Sequence, residues 1–311
     1  MKNIIDAVIT LVERNNFNLS DVKGGNNRIN IQGDALEIYI KNLFADTFDC
    51  PEDKRPEIWR ETFSYLGNNA NPPDFMLKGG DAVEVKKIES PDAAIALNSS
   101  YPKHTLKSSS HFISKACREA EDWTEKDIIY TVGVVGKNKL KHLCMIYGRD
   151  YCASDEHYNR IRQTIKTGVE SVEGVKFAQT KELGRVNCVD PLEITYLRIR
   201  GMWHIENPWH VFNYVYQRNF QAEFNFMCII RLEKWLTLNN RVELFKLQKD
   251  YPALKIIDVK IKDADKSVEF MNDKRITCNG VHINVELSTF SAFKCLDERN
   301  SRSDKLFCRR V

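Results

Sequence analysis

Asn71-Pro72-Pro73-Asp74-Phe75-Met76-Leu77-Lys78-Gly79-Gly80-Asp81-Ala82-Val83-Glu84-Val85-Lys86 is the stretch that decides the fold. Phe75–Leu77 and Ala82–Val85 are short apolar runs separated by Lys78-Gly79-Gly80-Asp81. A Gly-Gly pair between apolar runs signals a hairpin, because glycine accepts the positive φ that tight turns need. Asp74 is expected to enter at the start of the first strand, where Pro73 is tolerated because a first residue can lack a ladder donor. Side chains alternate along a strand, so Ala82, Glu84 and Lys86 share one face while Val83 and Val85 point into a core. Lys87 falls on the valine side, which makes it the weaker candidate for chemistry.

Asp74, Glu84 and Lys86 together form a set that suits metal-dependent phosphodiester cleavage. Two carboxylates can hold a hard divalent cation such as Mg²⁺ through oxygen. Such a cation polarises a phosphodiester and lowers the pKa of a bound water. A lysine beside it can orient that water, take its proton, or offset charge as it builds on phosphorus. A solvated hairpin with an ordinary Glu/Lys face would carry the same letters, so the short pattern alone is not decisive.

The remaining composition is compatible with this chemistry. The 311 residues are ample for a buried core, and 42 % apolar content is ordinary for a globular chain. No run of 18 or more apolar residues occurs, so no membrane association is expected. Met1-Lys2-Asn3-Ile4-Ile5-Asp6 lacks a signal peptide's pattern. Nine cysteines without a C-x-x-C pair fit a reducing cytoplasm better than a disulfide framework or a zinc ribbon. The seven histidines show no metal-binding spacing. Net charge is only +3 (46 basic minus 43 acidic), so any DNA-binding surface must come from local clustering.

Such clustering follows the Glu84/Lys86 strand. Ala93 to Arg118 contains no Asp or Glu but holds Lys103, Lys107, Lys115, Arg118, His104 and His111. Asn98, Ser99, Ser100 and Ser108 to Ser110 add short donors suited to phosphate oxygens, with a solvated loop as the alternative. Arg299, Arg302, Lys305, Arg309 and Arg310 form a second basic cluster that reads as a solvated tail. Upstream, Asn3 to Glu13 reads as a helix, Lys23 to Arg28 as a polar loop, and Gly33 to Phe44 as a second amphipathic helix. Leu36, Tyr39, Ile40 and Leu43 make that helix's apolar face, with Glu37 at its border. Glu37 could reach a metal on the neighbouring sheet, or simply pair with Lys41 four residues on.

The second half carries candidate recognition residues. Arginine can read guanine O6 and N7 bidentately, and Asp or Glu can accept from cytosine N4. Gly184-Arg185-Val186-Asn187 and Leu197-Arg198-Ile199-Arg200-Gly201 supply guanidinium groups, with Asp190 between them. Arg198 and Arg200 would share a strand face, either reading a groove or forming a charged outer face paired with Glu193 and Glu206. Trp203, Trp209, Phe212 and Tyr216 suit core or dimer contacts better than base stacking. Phe226–Ile230, Ile256–Lys262 and Val281–Val285 read as strands. With no repeat or linker, the chain reads as one elaborated α/β domain over residues 1–311, its catalytic core at about 30–150 and its recognition and C-terminal elements at about 180–311. A subdomain starting near Phe220 stays open.

A helix with Glu37, then Pro73-Asp74, a hairpin and Glu84-Val85-Lys86 resembles the PD-(D/E)xK nuclease core, a mixed β-sheet flanked by helices. Asp81 to Pro91, Ala96 to Lys103, Lys181 to Asn187 and Asp190 to Trp203 resemble, more specifically, the NgoPII family of type II restriction endonucleases. That likeness implies Mg²⁺-dependent cleavage of double-stranded DNA by in-line attack, a homodimer on a palindrome, and a G/C-rich target, GGCC. It also implies a cognate DNA methyltransferase as functional partner. On this pattern Asp74 and Glu84 are metal ligands with the Val85 carbonyl as a third, Lys86 positions or deprotonates the attacking water, and Glu37 is the accessory acid. Asn98, Ser99, Lys103, Arg185, Asn187, Arg198 and Arg200 are the expected DNA contacts. Two other readings stay open, a structure-specific repair or junction nuclease on the same core and a non-catalytic DNA-binding protein.

Overall fold

The computed structural model describes residues 1–280 apart from 20–27, 69–70, 181 and 267–269. Helix α1 (Ile4–Arg14) starts at Asn3, whose side chain accepts from the Ile5 amide while Asp6 caps the Asn3 amide in return. It ends on Asn15, which adopts the left-handed conformation that stops helices. Next come α2 (Arg28–Ala45), α3 (Arg55–Thr62), β1 (Phe63–Asn68), β2 (Asn71–Leu77), β3 (Ala82–Ile88), β4 (Ile95–Asn98) and β5 (Thr105–Lys107). The middle of the chain holds α4 (Lys115–Arg118), β6 (Glu125–Gly136), β7 (Lys139–Tyr147), α5 (Gly148–Tyr151) and α6 (Asp155–Glu170). Then follow β8 (Lys176–Phe177), β9 (Gly184–Asn187), β10 (Leu197–Ile199), β11 (Trp203–Ile205) and α7 (Pro208–Val211). The described chain closes with β12 (Phe224–Arg231), α8 (Leu232–Thr237), α9 (Arg241–Asp250), β13 (Lys255–Lys262) and β14 (Phe270–Gly280).

The central sheet is mixed and runs β1-β2-β3-β6-β7-β12-β14-β13, with β5 added alongside β6. β3 lies parallel to β6 and β7 parallel to β12, while the other neighbours are antiparallel. Strand pleat divides the core between its two faces. Leu143, Met145 and Tyr147 of β7 join Val83, Phe75 and the α1 and α2 side chains on one face. Cys144 and Ile146 join Ala82, Ile88, Met76 and Trp209 on the other. This is the α/β, helix-flanked mixed sheet expected from the sequence, with β12, β13 and β14 as its additional C-terminal strands. Those strands extend the same sheet rather than founding a subdomain near Phe220, and the described elements belong to one compact unit.

Some expectations change. Asp74 lies in the middle of β2, and Pro73 is an interior residue of that strand. β1 tolerates it because the pairing register shifts between Leu66 and Asn68, which relaxes the demand for a ladder donor opposite. Arg28 opens α2 instead of closing a loop; residues 23–27 lie outside the described residues, as do Val281–Val285 and the basic tail. The stretch after β3 is not a plain loop, since it contains β4, β5 and α4.

Candidate active site and recognition arm

The hairpin places the acid-acid-lysine set as the pleat requires. Glu84 and Lys86 lie between Ala82 and Ile88, on the face opposite Val83 and Val85. β2 pairs with β3 through Phe75 opposite Val83, a register that runs on to Asp74 beside Glu84. The Asp74 Oδ2 accepts a hydrogen bond from the Val85 amide at 2.6 Å. Lys86 Nζ donates to Glu84 Oε1 at 2.5 Å. The other Glu84 oxygen, Oε2, is buried and has no partner.

Glu37 acts on Asp74 and Lys86 through its charge. Burial first, then the negative charges of Glu84 and Glu37, push the Asp74 carboxyl well above the usual range, although Lys86 and the Val85 amide oppose the shift. Burial disfavours the Lys86 ammonium, but the carboxylates of Glu84, Asp74 and Glu37 outweigh it and hold its pKa up. Lys86 is therefore a cation here, a donor rather than a free base. Glu37 also receives a hydrogen bond from Lys41, the i,i+4 pair that its spacing allows. Two adjacent carboxylates, one with an oxygen lacking any donor, and the nearby charge of Glu37 make a site short of positive charge.

These residues fit a divalent cation. No group of three His, Cys, Asp or Glu side chains forms a ready-made cage among the described residues. Mg²⁺ does not need one, since it binds through one or two carboxylates and takes its other oxygens from water and phosphate. Asp74 and Glu84 supply carboxylate oxygens for such an ion.

The expected DNA contacts divide into two groups. Asn98 ends β4 and pairs with Trp203 of β11, and Ser99 beside it is exposed. Lys103, expected on a phosphate-facing surface, is buried, with Nζ 3.4 Å from the Tyr101 ring centroid and 4.3 Å from that of Phe112. Burial, aided by Arg162, lowers its pKa to about 7 against the pull of Asp155, Cys152 and Glu84. Its backbone amide donates to the Tyr130 hydroxyl at 2.6 Å, and Tyr130 sits opposite Glu84 in the parallel β3–β6 pair. Tyr130 had no motif to mark it; it stood in an apolar run whose strand partner is not readable locally.

Arg185, Asn187 and Arg198 lie on the small sheet β10-β9-β8, with Arg200 just past β10. Arg185 stands opposite Arg198 and its guanidinium lies 5.1 Å from the Tyr196 ring centroid. Arg198 and Arg200 do share a face, but their acid is Glu182, at 3.0 and 2.7 Å from the two Nε atoms. Glu193 pairs instead with Lys176. The arm is tied to the catalytic region by the β11–β4 pairing and by Trp203, which packs on Tyr101 and Tyr158. Trp209 and Phe212 are buried in the core, as their expected packing role requires.

Comparison with known proteins gives a consistent result. The family model described as NgoPII restriction endonuclease matches residues 2–262. The type II restriction enzyme NgoPII of Neisseria gonorrhoeae is 54 % identical over 276 residues, covering 88 % of this chain and 99 % of that relative. No solved structure matches the chain. Every candidate site residue falls inside the matched span. Among the described residues, no helix is long and apolar enough to cross a membrane.

Proposed function

The chain belongs to the NgoPII restriction endonuclease family, and from that premise we propose that it cuts double-stranded DNA at a G/C-rich palindrome, GGCC, with Asp74, Glu84, Lys86 and Glu37 as the catalytic group and Mg²⁺ as cofactor. It is a type II restriction endonuclease acting on duplex DNA, and family membership implies a metal-dependent mechanism. The observation that carries the residue assignment is the buried, unpartnered Glu84 Oε2 beside the crowded Asp74 carboxyl.

Asp74 and Glu84, with the Val85 carbonyl, would hold Mg²⁺, which when bound supplies Lewis-acid polarisation of the phosphodiester. The Val85 amide fixes the Asp74 carboxylate, so that ligand needs no reorganisation. Lys86, held as a cation, orients the attacking water by donating to it and offsets charge as it builds on the phosphoryl oxygens. Glu37 adds negative charge at the edge of the group and steadies Lys41. In-line attack then leaves 5′-phosphate and 3′-hydroxyl ends. Arg185, Asn187, Arg198 and Arg200 are the readers of base edges, with Asn98 and Ser99 on phosphates; Lys103 supports the site from beneath. A homodimer would match a palindrome's two-fold symmetry. A cognate methyltransferase would protect the host's own sites, in the cytoplasm.

Digestion of plasmid DNA tests the reading. Purified protein with Mg²⁺ yields discrete fragments whose sequenced ends share GGCC, and Asp74→Ala and Lys86→Ala each abolish cutting while retaining DNA binding by gel shift. Intact plasmid across Mg²⁺ and Mn²⁺, or ends without a common sequence, would overturn it.

A further inference from the structure

Building on the DNA-cleaving reading above, we infer that the loop between β9 and β10 is a preformed apolar wedge that seats Leu192 and Ile194 against a base step of the bound duplex. Leu192 is 76 % exposed, Ile194 75 % and Tyr196 59 %. Single exposed apolar residues are ordinary, but large ones crowded onto one loop tip mark an interaction surface. The tip is held in shape by its own backbone. Asp190 accepts from the Leu192 amide at 2.9 Å and from the Thr195 amide at 2.6 Å, and the Val189 amide donates to the Thr195 carbonyl at 3.1 Å. A loop already ordered loses little conformational entropy when it docks.

The charge around the tip selects the occupant. Arg185 lies against Tyr196, and Arg198 and Arg200 share the single carboxylate of Glu182; of the tip's own acids, Glu193 is paired with Lys176 and Asp190 is engaged by its own loop's amides, so the arginines outnumber the acids that pair with them. Phosphates flanking a base step complement that pattern. A two-fold contact between copies of this chain would instead set the same arginines against themselves. The β11–β4 pairing joins the arm to the strand that follows β3, and the Ile95 side chain of β4 packs in the same core as Ala82 and Ile88. The wedge thus projects from an element built on the sheet face that carries Glu84 and Lys86. Proteins that press aliphatic side chains between bases unstack and bend the duplex, which gains contacts elsewhere.

The test uses the full chain and its Leu192→Ser/Ile194→Ser variant, titrated with a GGCC-centred duplex carrying 2-aminopurine next to the target, Ca²⁺ replacing Mg²⁺. Plasmid DNA serves as a second binding probe. Wild type should raise the 2-aminopurine fluorescence; the variant should lose that rise and bind both DNAs roughly tenfold more weakly, the loss of about one interface hot spot. Leu192→Met/Ile194→Leu should restore both. Unchanged melting temperature and sedimentation establish that the variant is folded and assembled as wild type. A variant that binds normally, or one whose loss tracks dissociation into monomers, overturns the wedge while leaving cleavage by wild type intact. Failure of wild type to cut plasmid DNA sinks the nuclease reading instead, and the fluorescence and plasmid-binding comparison still decides the wedge.

Discussion

Asp273 shows how a single buried acid can be read against its surroundings. It stands opposite Arg231 in the β12–β14 pair, is almost fully buried, and neither carboxylate oxygen has a partner. Arg231 is engaged by Asp150 at 2.9 Å instead. Burial and then the charge of Asp150, opposed by Arg231, push Asp273 up to about 8. Burial likewise lifts Asp150 to about 6, despite its ion pair. An unfolded aspartate titrates near ~3.9, so the folded chain holds the extra proton between that value and about 8. The stabilisation this gives is full in acid and is lost as pH rises through that window. Asp273→Asn removes the ionisation, so it should be more stable than wild type at pH values above the window, with the advantage shrinking toward acid. Urea denaturation at either end measures this, and an advantage independent of pH would contradict it. Nothing near Asp273 in the sequence announces this, because its partners lie on β12 and α5, more than forty residues away. Glu84 and Lys86 were legible for the opposite reason: their relation is set by strand alternation alone.

Hairpin β2–β3 was readable from its letters, yet the strand beside it was not, and β1 is what seats Asp74. A Cβ on Gly67 would lie 2.4 Å from the Pro73 carbonyl oxygen and 2.7 Å from that of Asp74. Backbone cannot yield to such contacts as a flexible side chain does. Gly67→Ala should therefore cost roughly 1–3 kcal/mol of stability, the range for overpacked sites. Its cleavage rate should fall by more than its DNA affinity, since a misplacement of about 1 Å near reacting groups can cost on the order of a hundredfold. Single-turnover cleavage beside a gel-shift titration separates the two effects; equal losses in both would argue against a displaced Asp74. Gly148 plays a similar part beneath Lys103, where a Cβ would meet the Lys103 and His104 carbonyl oxygens at 2.4 and 2.7 Å. That close approach lets the Lys103–His104 backbone lie against α5, while the Lys103 side chain packs on Tyr101 and Phe112.

The molecule's sheet joins segments far apart in the chain. β7 pairs with β12 only after the excursion through α6 and the small β10-β9-β8 sheet, so the parallel register of Asn225 with His142 left no trace in local pattern. What the sequence did convey was the class of fold and the hairpin that carries Asp74, Glu84 and Lys86, through family-like motifs as much as periodicity. Because the site's cation deficit belongs to the folded state, metal binding should stabilise the whole chain. Saturating Mg²⁺ should raise the melting temperature of wild type, by the equivalent of about 2.7 kcal/mol at one hundred times the dissociation constant. Glu84→Ala should show no such rise in a thermal scan, and a rise of equal size would place the metal elsewhere.

The unpartnered oxygen of Glu84 has a genetic consequence. Neighbouring buried carboxylates repel one another in the folded protein, so substitutions that relieve them should trade catalysis for robustness, as sites built for chemistry commonly do. In a host whose DNA lacks protection, the survivors of self-restriction should then include changes at Asp74 or Glu84 that leave abundant, well-folded and harmless protein. Escape from toxicity would not require the gene to be broken, only its charge imbalance to be repaired.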